Sequence, residues 1–329
     1  MNSIMARLGT SDEDLQTAAD LLAAGRLVAV PTETVYGLAA DAANPAAVAR
    51  IFEVKGRPAD HPLIVHLPDA GAMFDWAREL PAAATTLAAH FWPGPLTLVL
   101  KRSSRASDLI TGGQDTVGLR VPGHPVALRL LKCFGGALAA PSANRFGRIS
   151  PTTAEHVIDE LGDAVDAVID GGPCRVGVES TIVDLTGDRP TILRPGMIGI
   201  AELASVLGSA PMIADLATGP RAPGRLASHY APQTPLELVP SQALESRLRY
   251  WCEQGRRVVV MAPGPAPRSM PEEQWQEMPT EAECYAKRLY AQLRALDERG
   301  LDRILVEIPP PGSQWDAIRD RLHRAASES

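Results

Sequence analysis

The sequence predicts an α/β protein with two domains. Short apolar runs of β type alternate with segments of helical periodicity along most of the chain. Proline is concentrated between residues 209 and 235, as in a linker. The chain has 329 residues, 45% of them apolar, which is enough for two hydrophobic cores. We therefore predict domains over residues 1–208 and 236–329, joined by a Pro-rich linker over 209–235.

In the first domain, cap and turn signals place the leading elements. A helix over Leu15–Ala24 ends before Gly25, and a second begins at Asn44-Pro45 and stops at Gly56. The predicted strands are Leu27–Val30, Leu63–His66, Leu96–Lys101, Thr116–Val121, Ala137–Ala140, Ala167–Asp170, Ser180–Leu185 and Thr191–Arg194. With helices between many of these strands, the domain is expected to be a twisted sheet covered by helices.

The second domain alternates strands and helices regularly. We predict strands at Leu236–Val239, Arg257–Met261 and Arg303–Ile308, and helices at Gln242–Gln254, Glu281–Arg299 and Gln314–Ala325. Alternation of this kind is typical of a parallel, Rossmann-like sheet.

Composition excludes several classes of protein. Lys and Arg number 32 against 39 Asp and Glu, so the net charge of 32 − 39 = −7 disfavours sequence-independent binding to nucleic acid. The four cysteines are scattered, without the spacing of a zinc site or a disulfide framework. No apolar run approaches the roughly 20 residues of a membrane span. The first sixteen residues hold three acids and no apolar core, so we expect no secretory signal and a cytoplasmic protein.

Polar residues cluster where predicted strands and helices end. The turn 31–38 follows the strand Leu27–Val30, although its Thr and Glu could also cap a helix. Lys55 and Arg57 flank a helix-ending glycine, where they either bind anionic oxygens or only complement the helix dipole. Thr116 and Arg120 share a strand face with a gap at Gly118, but Arg120 could instead pair with a surface acid.

Further hydroxyls and cations follow the later strands. Ser142 and Ser180 lie at strand ends, Arg194 ends another strand, and Ser150 stands where it could also cap a helix. One pocket for an anionic ligand explains this set of residues most simply. The common nucleotide motifs GxxxxGK[ST] and GxGxxG are absent, so any nucleotide is held in an unusual way.

Seven segments in chain order resemble the motifs of the YrdC-like threonylcarbamoyl-AMP synthases. They are PTETVYGLAAD (31–41), KGR with PL (55–57 and 62–63), WPGPLT (92–97), VGLRVP (117–122), PSAN (141–144), STIVD (180–184) and LRPG (193–196). The resemblance covers about residues 15–207. The HYAP segment (229–232) and the α/β unit after it are similar to the long, two-domain form of the family. A YrdC-like twisted open sheet is therefore expected for the first domain.

The resemblance implies a reaction and a set of site residues. L-Threonine, bicarbonate and ATP, usually with Mg²⁺, would give threonylcarbamoyl-AMP and pyrophosphate, and the product would supply a separate transferase complex that modifies tRNA. The residues implied to contact threonine are Thr34, His66, Arg120, Ala140 and Ser180. Those implied to contact ATP are Arg57, His61, Thr116, Ser142, Ser150, Arg194 and Tyr230. Lys55 would lie beside both substrates, and His61 stands where the family has asparagine.

No residue is placed as an obvious covalent nucleophile, so we expect direct attack of a carbamate on the α-phosphorus, with Lys55 and Arg57 as catalytic cations.

Two other interpretations of the function stay open at this stage. A non-catalytic RNA-binding module is disfavoured by the acidic charge and by the lack of an aromatic and basic stripe. A carbamoyl-adenylate enzyme of hydrogenase maturation is disfavoured because its Cys-rich zinc segments are missing.

Overall fold

The computed structural model describes residues 5–215, 219–225 and 229–327. The chain divides into two compact units. The first contains the chain up to Phe146 and continues over Ser150–Arg225, and the second contains Gly147–Ile149 and the chain from 229 onward. The predicted linker over 209–235 includes residues 216–218 and 226–228, which lie outside the described residues. Within the described part, no helix is long and apolar enough to cross a membrane.

The first unit contains these helices and strands. Its helices are α1 (Asp12–Ala23), α2 (Pro45–Lys55), α3 (Met73–Trp76), α4 (Ala82–Phe91), α5 (Asp108–Thr111), α6 (Pro125–Phe134), α7 (Ala154–Leu161) and α8 (Ile200–Leu207). Its strands are β1 (Ala6–Leu8), β2 (Val28–Val30), β3 (Gly37–Asp41), β4 (Ile64–His66), β5 (Leu96–Lys101), β6 (Thr116–Arg120), β7 (Leu138–Ala139), β8 (Ala167–Ile169), β9 (Thr181–Asp184), β10 (Thr191–Arg194) and β11 (Met212–Ile213).

These strands form one mixed sheet in the order β1-β8-β2-β3-β7-β4-β6-β5-β9-β10-β11. Strands β4 and β6 are parallel and β5 is antiparallel to β6, while β5 and β9 are again parallel. The ends of the sheet are separate strands, so the predicted open α/β sheet is confirmed. Strand β11 lies inside the predicted linker and pairs with β10.

The central strands present two different faces. Val65, Leu98, Val117 and Leu119 point into the main hydrophobic core of the unit. Because side chains alternate across a strand, the residues between them point to the opposite face. That face carries the apolar floor formed by Ile64, Val99 and Ile182, together with polar side chains of β5 and β6. The sheet therefore supports a surface on which a ligand can lie.

Besides β11, two further strands of the first unit were not predicted from the sequence. Strand β3 begins at Gly37, inside the segment interpreted as a polar turn, and pairs with β2 and β7. Its sequence, GLAAD, has little of the β-branched or aromatic character that marks strands. Strand β1 has three residues and pairs with β8. In both cases the strand is specified by its neighbours in the sheet rather than by its own residues.

The second unit contains strands and helices in alternation. Its strands are β12 (Leu236–Val239), β13 (Val258–Pro263), β14 (Trp275–Met278) and β15 (Arg303–Glu307), and its helices are α9 (Leu244–Glu253), α10 (Ala282–Asp297) and α11 (Asp316–Ala326). The sheet has the order β12-β15-β13-β14, and every pairing in it is parallel. The predicted parallel α/β domain is confirmed, with β14 as a strand that the sequence did not indicate.

Candidate active site

The turn between β2 and β3 is organised by the side chain of Thr32. Its Oγ1 donates to Val35 O at 2.5 Å and accepts from the N–H groups of Thr34 and Val35, each at 3.2 Å. A hydroxyl that bonds to nearby backbone groups in this way stabilises a turn. The chain then enters β3 at Gly37 rather than a helix, so the alternative of a capping Thr is wrong.

Arg120 ends β6 and is buried, with 4% of its surface exposed. Its Nε donates to Gly94 O at 3.2 Å, and its Nη1 donates to Thr34 Oγ1 at 3.1 Å. Its Nη2 lies 2.7 Å from Oε1 of the equally buried Glu33, in an ion pair without hydrogen-bond alignment. Arg120 therefore pairs with a buried acid, and the alternative of a surface acid is wrong.

His66 ends β4 directly opposite Arg120, and Ile64 is opposite Gly118 in the same register. Burial, together with the Arg120 charge, lowers the pKa of His66 to about 3. The imidazole is therefore neutral at pH 7. A neutral imidazole beside a guanidinium can accept a hydrogen bond from a hydroxyl or an amine of a ligand.

Ser180 is hydrogen-bonded to Thr97 of β5 and to Arg194 of β10. Its Oγ lies 2.7 Å from Thr97 Oγ1, so the two hydroxyls are hydrogen-bonded. Arg194, at the end of β10, donates through Nε and Nη2 to Ser180 O at 3.1 and 2.9 Å, and through Nη1 to Pro223 O at 3.0 Å. These carbonyls fix the guanidinium in place.

Lys55 is the last residue of α2, and Gly56 after it has the left-handed conformation (φ 61°) of a helix-ending glycine. The ammonium donates to Ser142 O at 2.6 Å and also to Asn144 O. It thus bonds to the segment after β7 and not to the carbonyls of its own helix. Burial, together with the nearby Arg57, holds the pKa of Lys55 well below its ordinary value.

Arg57 and His61 lie in the loop that follows α2. The Arg57 guanidinium donates to Pro62 O at 2.8 Å and lies 5.5 Å from the centre of the Phe146 ring. His61 contacts the same ring edge-on, with ring centres 5.2 Å apart. Burial and the Arg57 charge both lower the pKa of His61. The alternative that Arg57 only complements the end of α2 is not supported by these contacts.

The remaining residues of the first unit lie on the same strands. The N–H of Ala140 donates to Ile64 O at 3.1 Å, and a side-chain carbon added at Gly37 would come within 3.3 Å of Ala140 Cβ. Ser142 forms a bridge with Gly37. Thr116 begins β6 and is half-buried on the same face as Gly118 and Arg120, as the alternation in the sequence predicts. The backbone is therefore closely packed around Ala140.

Ser150 is fully buried, and its Oγ donates to Glu179 Oε1 at 2.5 Å. The cap of α7 is Thr153, whose Oγ1 accepts from the N–H of His156 at 3.3 Å. The alternative that Ser150 caps this helix is wrong, because its hydroxyl is turned toward Glu179 instead. Glu179 directly precedes Ser180, so this contact places Ser150 near the hydrogen-bonded hydroxyls of Ser180 and Thr97.

Tyr230 is the one predicted site residue that belongs to the second unit. It is buried and has a positive φ of 63°, which is uncommon for a residue with a side chain. Its ring stacks on Tyr290 with centres 5.9 Å apart, meets His229 edge-on at 4.2 Å, and lies 5.2 Å from the Arg321 guanidinium. These contacts fix Tyr230 within the second unit.

The segment 219–225 lies on the sheet face that carries the candidate site. Arg221 exchanges two hydrogen bonds with Gln114, at 2.6 and 3.0 Å. Ala222 joins the apolar cluster of Ile64 and Ile182 on that face, and together with Gly118 it lines a narrow cleft. The gap at Gly118 is thus partly covered by the first half of the predicted linker.

Three residues in the site were not predicted from the sequence as ligand contacts: Glu33, Thr97 and Glu179. Each lies beside a predicted residue, within the motifs PTET, WPGPLT and VEST. The motif letters could have indicated them, but only the fold shows their partners. Among the described residues, no group of three or more His, Cys, Asp or Glu side chains could hold a metal ion.

Comparisons with known families match both parts of the chain. The Sua5/YciO/YrdC family, described as "Telomere recombination", matches residues 20–196. The family described as "Threonylcarbamoyl-AMP synthase, C-terminal domain" matches residues 198–327. The two matches meet close to the start of the predicted linker.

Several relatives match over nearly the full length. Proteins named threonylcarbamoyl-AMP synthase from Pyrococcus abyssi and Bacillus subtilis are each 39% identical to this chain. They cover 95% and 97% of it, and 94% of their own length in both cases. The crystal structure of Pyrococcus abyssi Sua5 complexed with L-threonine superimposes with a TM-score of 0.91 at 38% identity, covering 98% of this chain and 97% of that one.

Proposed function

Because the chain belongs to the threonylcarbamoyl-AMP synthase family in its two-domain form, we propose that it converts L-threonine, bicarbonate and ATP to threonylcarbamoyl-AMP and pyrophosphate. This makes it a nucleotidyltransferase. The observation that carries the proposal is Arg120, a buried guanidinium at the end of β6 that donates through Nη1 to Thr34 Oγ1 and is ion-paired through Nη2 with Glu33. A buried donor of this kind suits the carboxylate of an amino acid.

The threonine site is built around Arg120. The guanidinium of Arg120 binds the carboxylate, with the hydroxyl of Thr34 beside it, and Ser180, which is hydrogen-bonded to Thr97, is a further threonine contact. Neutral His66 accepts a hydrogen bond from threonine, and the close packing at Ala140 limits the space for the amino acid. A site that hydrogen-bonds a substrate hydroxyl discriminates strongly against analogues without one, because its own polar group is then left unpaired.

The nucleotide site uses cations that are held by backbone carbonyls. Arg57 and Arg194 bind the phosphates, and Lys55 lies between ATP and threonine. The further ATP contacts are His61, Thr116, Ser142, Ser150 and Tyr230. Cations in fixed positions neutralise charge that develops on a phosphate without having to reorganise during the reaction.

The reaction proceeds by direct transfer. The neutral amine of threonine adds to CO₂ derived from bicarbonate and loses a proton, which gives a carbamate. A carbamate oxygen then attacks the α-phosphorus of ATP, the bond to the bridging oxygen breaks, and pyrophosphate leaves with that electron pair. Lys55 and Arg57 stabilise the charge on the transferring and leaving phosphates. Catalysis therefore consists of positioning and charge neutralisation.

Mg²⁺ would be held in this site together with the phosphates of ATP. The described residues offer no cluster of carboxylates for it, and Mg²⁺ is commonly held by one or two carboxylates together with substrate phosphates and water. Glu179, which accepts a hydrogen bond from the proposed nucleotide contact Ser150, is a carboxylate that would approach it. When bound, the ion would neutralise charge on the phosphates.

The product supplies a separate transferase complex that modifies tRNA in the cytoplasm. The net charge of −7 gives the chain no general affinity for nucleic acid, so tRNA is bound by that complex rather than by this protein.

The segment over 209–235 acts as a lid over bound nucleotide. Its first half already covers the site face, where Pro223 O accepts from Arg194. A closed lid excludes water, which protects a labile carbamate and strengthens the charge interactions below it.

Two experiments test the lid. ATP with threonine should protect this segment from proteolysis, and Tyr230→Ala should weaken ATP binding while the first unit stays folded. Equal cleavage with and without ligands would make the segment a passive spacer.

The deciding assay for the function is pyrophosphate release from ATP. Release should require threonine and bicarbonate together, because the carbamate forms from both. Rapid ATP turnover with neither present, or tight RNA binding at physiological salt without turnover, would contradict the proposal. The second outcome would favour the RNA-binding alternative.

A further inference from the structure

Glu33 is a buried acid in the middle of the candidate threonine site, and the reaction described above gives it no role. Its carboxylate is ion-paired with Arg120, and Oε2 has no hydrogen-bond partner among the described residues. Ion pairs of this kind often contribute little to stability, because desolvation of the charges offsets their attraction. A buried oxygen left without a partner therefore points to a functional constraint.

The backbone around Glu33 holds the carboxylate in place. The carbonyls of Glu33 and Thr34 accept from the N–H groups of Val176 and Gly177 at 2.8 and 3.1 Å, which adds to the turn made by Thr32. A side-chain carbon added at Gly123 would approach Glu33 Oε1 to 3.2 Å. The carboxylate is thus enclosed, and it has little freedom to leave Arg120 when a substrate arrives.

The ion pair changes what Arg120 presents to a ligand. The guanidinium keeps N–H donors on Nη2, but Glu33 cancels its charge. A neutralised arginine still offers directed hydrogen bonds to a carboxylate, while its attraction for a phosphate of higher charge is reduced.

We propose that Glu33 determines which anion the amino-acid pocket accepts: by neutralising Arg120 it keeps phosphate groups out of that pocket, while the N–H groups of Arg120 still bind a carboxylate. Glu33 thereby acts through Arg120 as a positioning and specificity residue. The inference rests on the proposed function, because it takes the Arg120 pocket as the threonine site.

Glu33→Gln is the direct test, because it removes the charge and keeps the size of the side chain. Threonine binding is measured by calorimetry with increasing inorganic phosphate and with pyrophosphate. In the wild type, phosphate should compete only weakly with threonine. In the variant, phosphate should compete with threonine, with its inhibition constant lowered about tenfold or more relative to the wild type, the range of a charged hydrogen bond.

Two further variants separate charge from folding and shape. Gly123→Ala crowds the carboxylate and keeps its charge, so threonine should bind more weakly without competition from phosphate. Asp166→Asn removes a mostly buried acid that pairs with Arg50 at 3.0 Å, elsewhere in the first unit. This variant controls for a general loss of stability, and phosphate should not compete with threonine in it any more than in the wild type. If Glu33→Gln fails to fold, Glu33→Asp, which keeps the charge one carbon further back, should show weaker competition of the same kind.

The outcomes distinguish the two proposals. If the wild type binds threonine and phosphate does not compete in folded Glu33→Gln or Glu33→Asp, the role of Glu33 is overturned and the proposed function stands. Competition in Gly123→Ala equal to that in Glu33→Gln would also overturn it, since shape alone would then explain the effect. If the wild type neither binds threonine nor releases pyrophosphate, the proposed function itself fails.

Discussion

The two halves of the candidate site hold their cations in different ways. On the proposed threonine side, Arg120 is ion-paired with the buried Glu33. On the proposed nucleotide side, Lys55, Arg57 and Arg194 donate to backbone carbonyls, which orient these side chains. The difference matches the two ligands, because a carboxylate needs directed hydrogen bonds and a triphosphate needs net positive charge. The partner of each cation, a carboxylate on one side and carbonyls on the other, distinguishes the two proposed subsites.

The largest effect in this comparison is expected for Lys55→Met, which keeps the length of the side chain and removes the charge between the subsites. Loss of one fixed donor to developing charge costs about 10²–10³ in rate, so kcat/KM should fall by that factor. Steady-state pyrophosphate release measures kcat/KM for both the variant and the wild type. Lys132→Met, at an exposed lysine of α6, is the matched control and should be neutral. Full activity of Lys55→Met would remove Lys55 from the catalytic set.

A somewhat smaller loss is expected for Arg57→Ala, roughly 10² in kcat/KM if the guanidinium steadies phosphate charge. The fall in stability should stay small if carbonyl contacts are its main structural role. Arg57→Lys keeps the charge and should recover part of the activity, whereas Arg105→Ala, at an exposed arginine, should have no effect. Normal turnover with a lowered melting temperature in Arg57→Ala would assign Arg57 to structure alone.

The threonine side should make stability depend on pH through His66. The folded pKa is about 3, below the ordinary 6.5, so between these values the unfolded chain binds a proton that the folded chain does not. The free energy of unfolding should therefore fall as the pH falls through this window, by up to about 1.4 kcal/mol per pH unit from this group. Urea unfolding at several pH values measures the slope.

His66→Gln should flatten that slope, and His90→Gln, at an exposed residue of α4, should leave it unchanged. A slope that is the same in wild type and His66→Gln would show that His66 is not the group responsible. The pKa values of His61 and His124 are also lowered, so part of the slope should remain in the variant.

The smallest effect concerns the segment after β7, where sequence and structure differ over the helix cap. Thr153→Ala should cost about 1 kcal/mol of stability, as for the loss of a capping hydroxyl, with kcat/KM little changed. Ser150→Ala should instead weaken ATP binding, because Ser150 is a proposed nucleotide contact. Thermal unfolding and ATP titration of both variants test this. The reverse pattern would restore Ser150 as the cap and Thr153 as the ligand contact.

Local signals in the sequence were sufficient for several elements. Strands β5 and β10 have the bounds predicted from their apolar runs, and α2 begins after Asn44 and ends at Gly56 as the cap residues indicate. The parallel sheet of the second unit followed from regular alternation. Strand β3 could not be predicted in this way, because its residues carry no β signal and its conformation depends on pairing with β2 and β7.

The sequence by itself determined the family, the two-part α/β architecture and the set of cations and hydroxyls that form the candidate site, because motifs, caps and periodicity are local properties of the chain. The tertiary structure alone decided which of those groups meet: that Lys55 bonds to carbonyls beyond β7, that Ser150 faces Glu179, and that Arg120 carries a buried counter-charge. The physical reason is that charge compensation and desolvation depend on neighbours from distant parts of the chain, so they are defined only once the sheet brings those parts together.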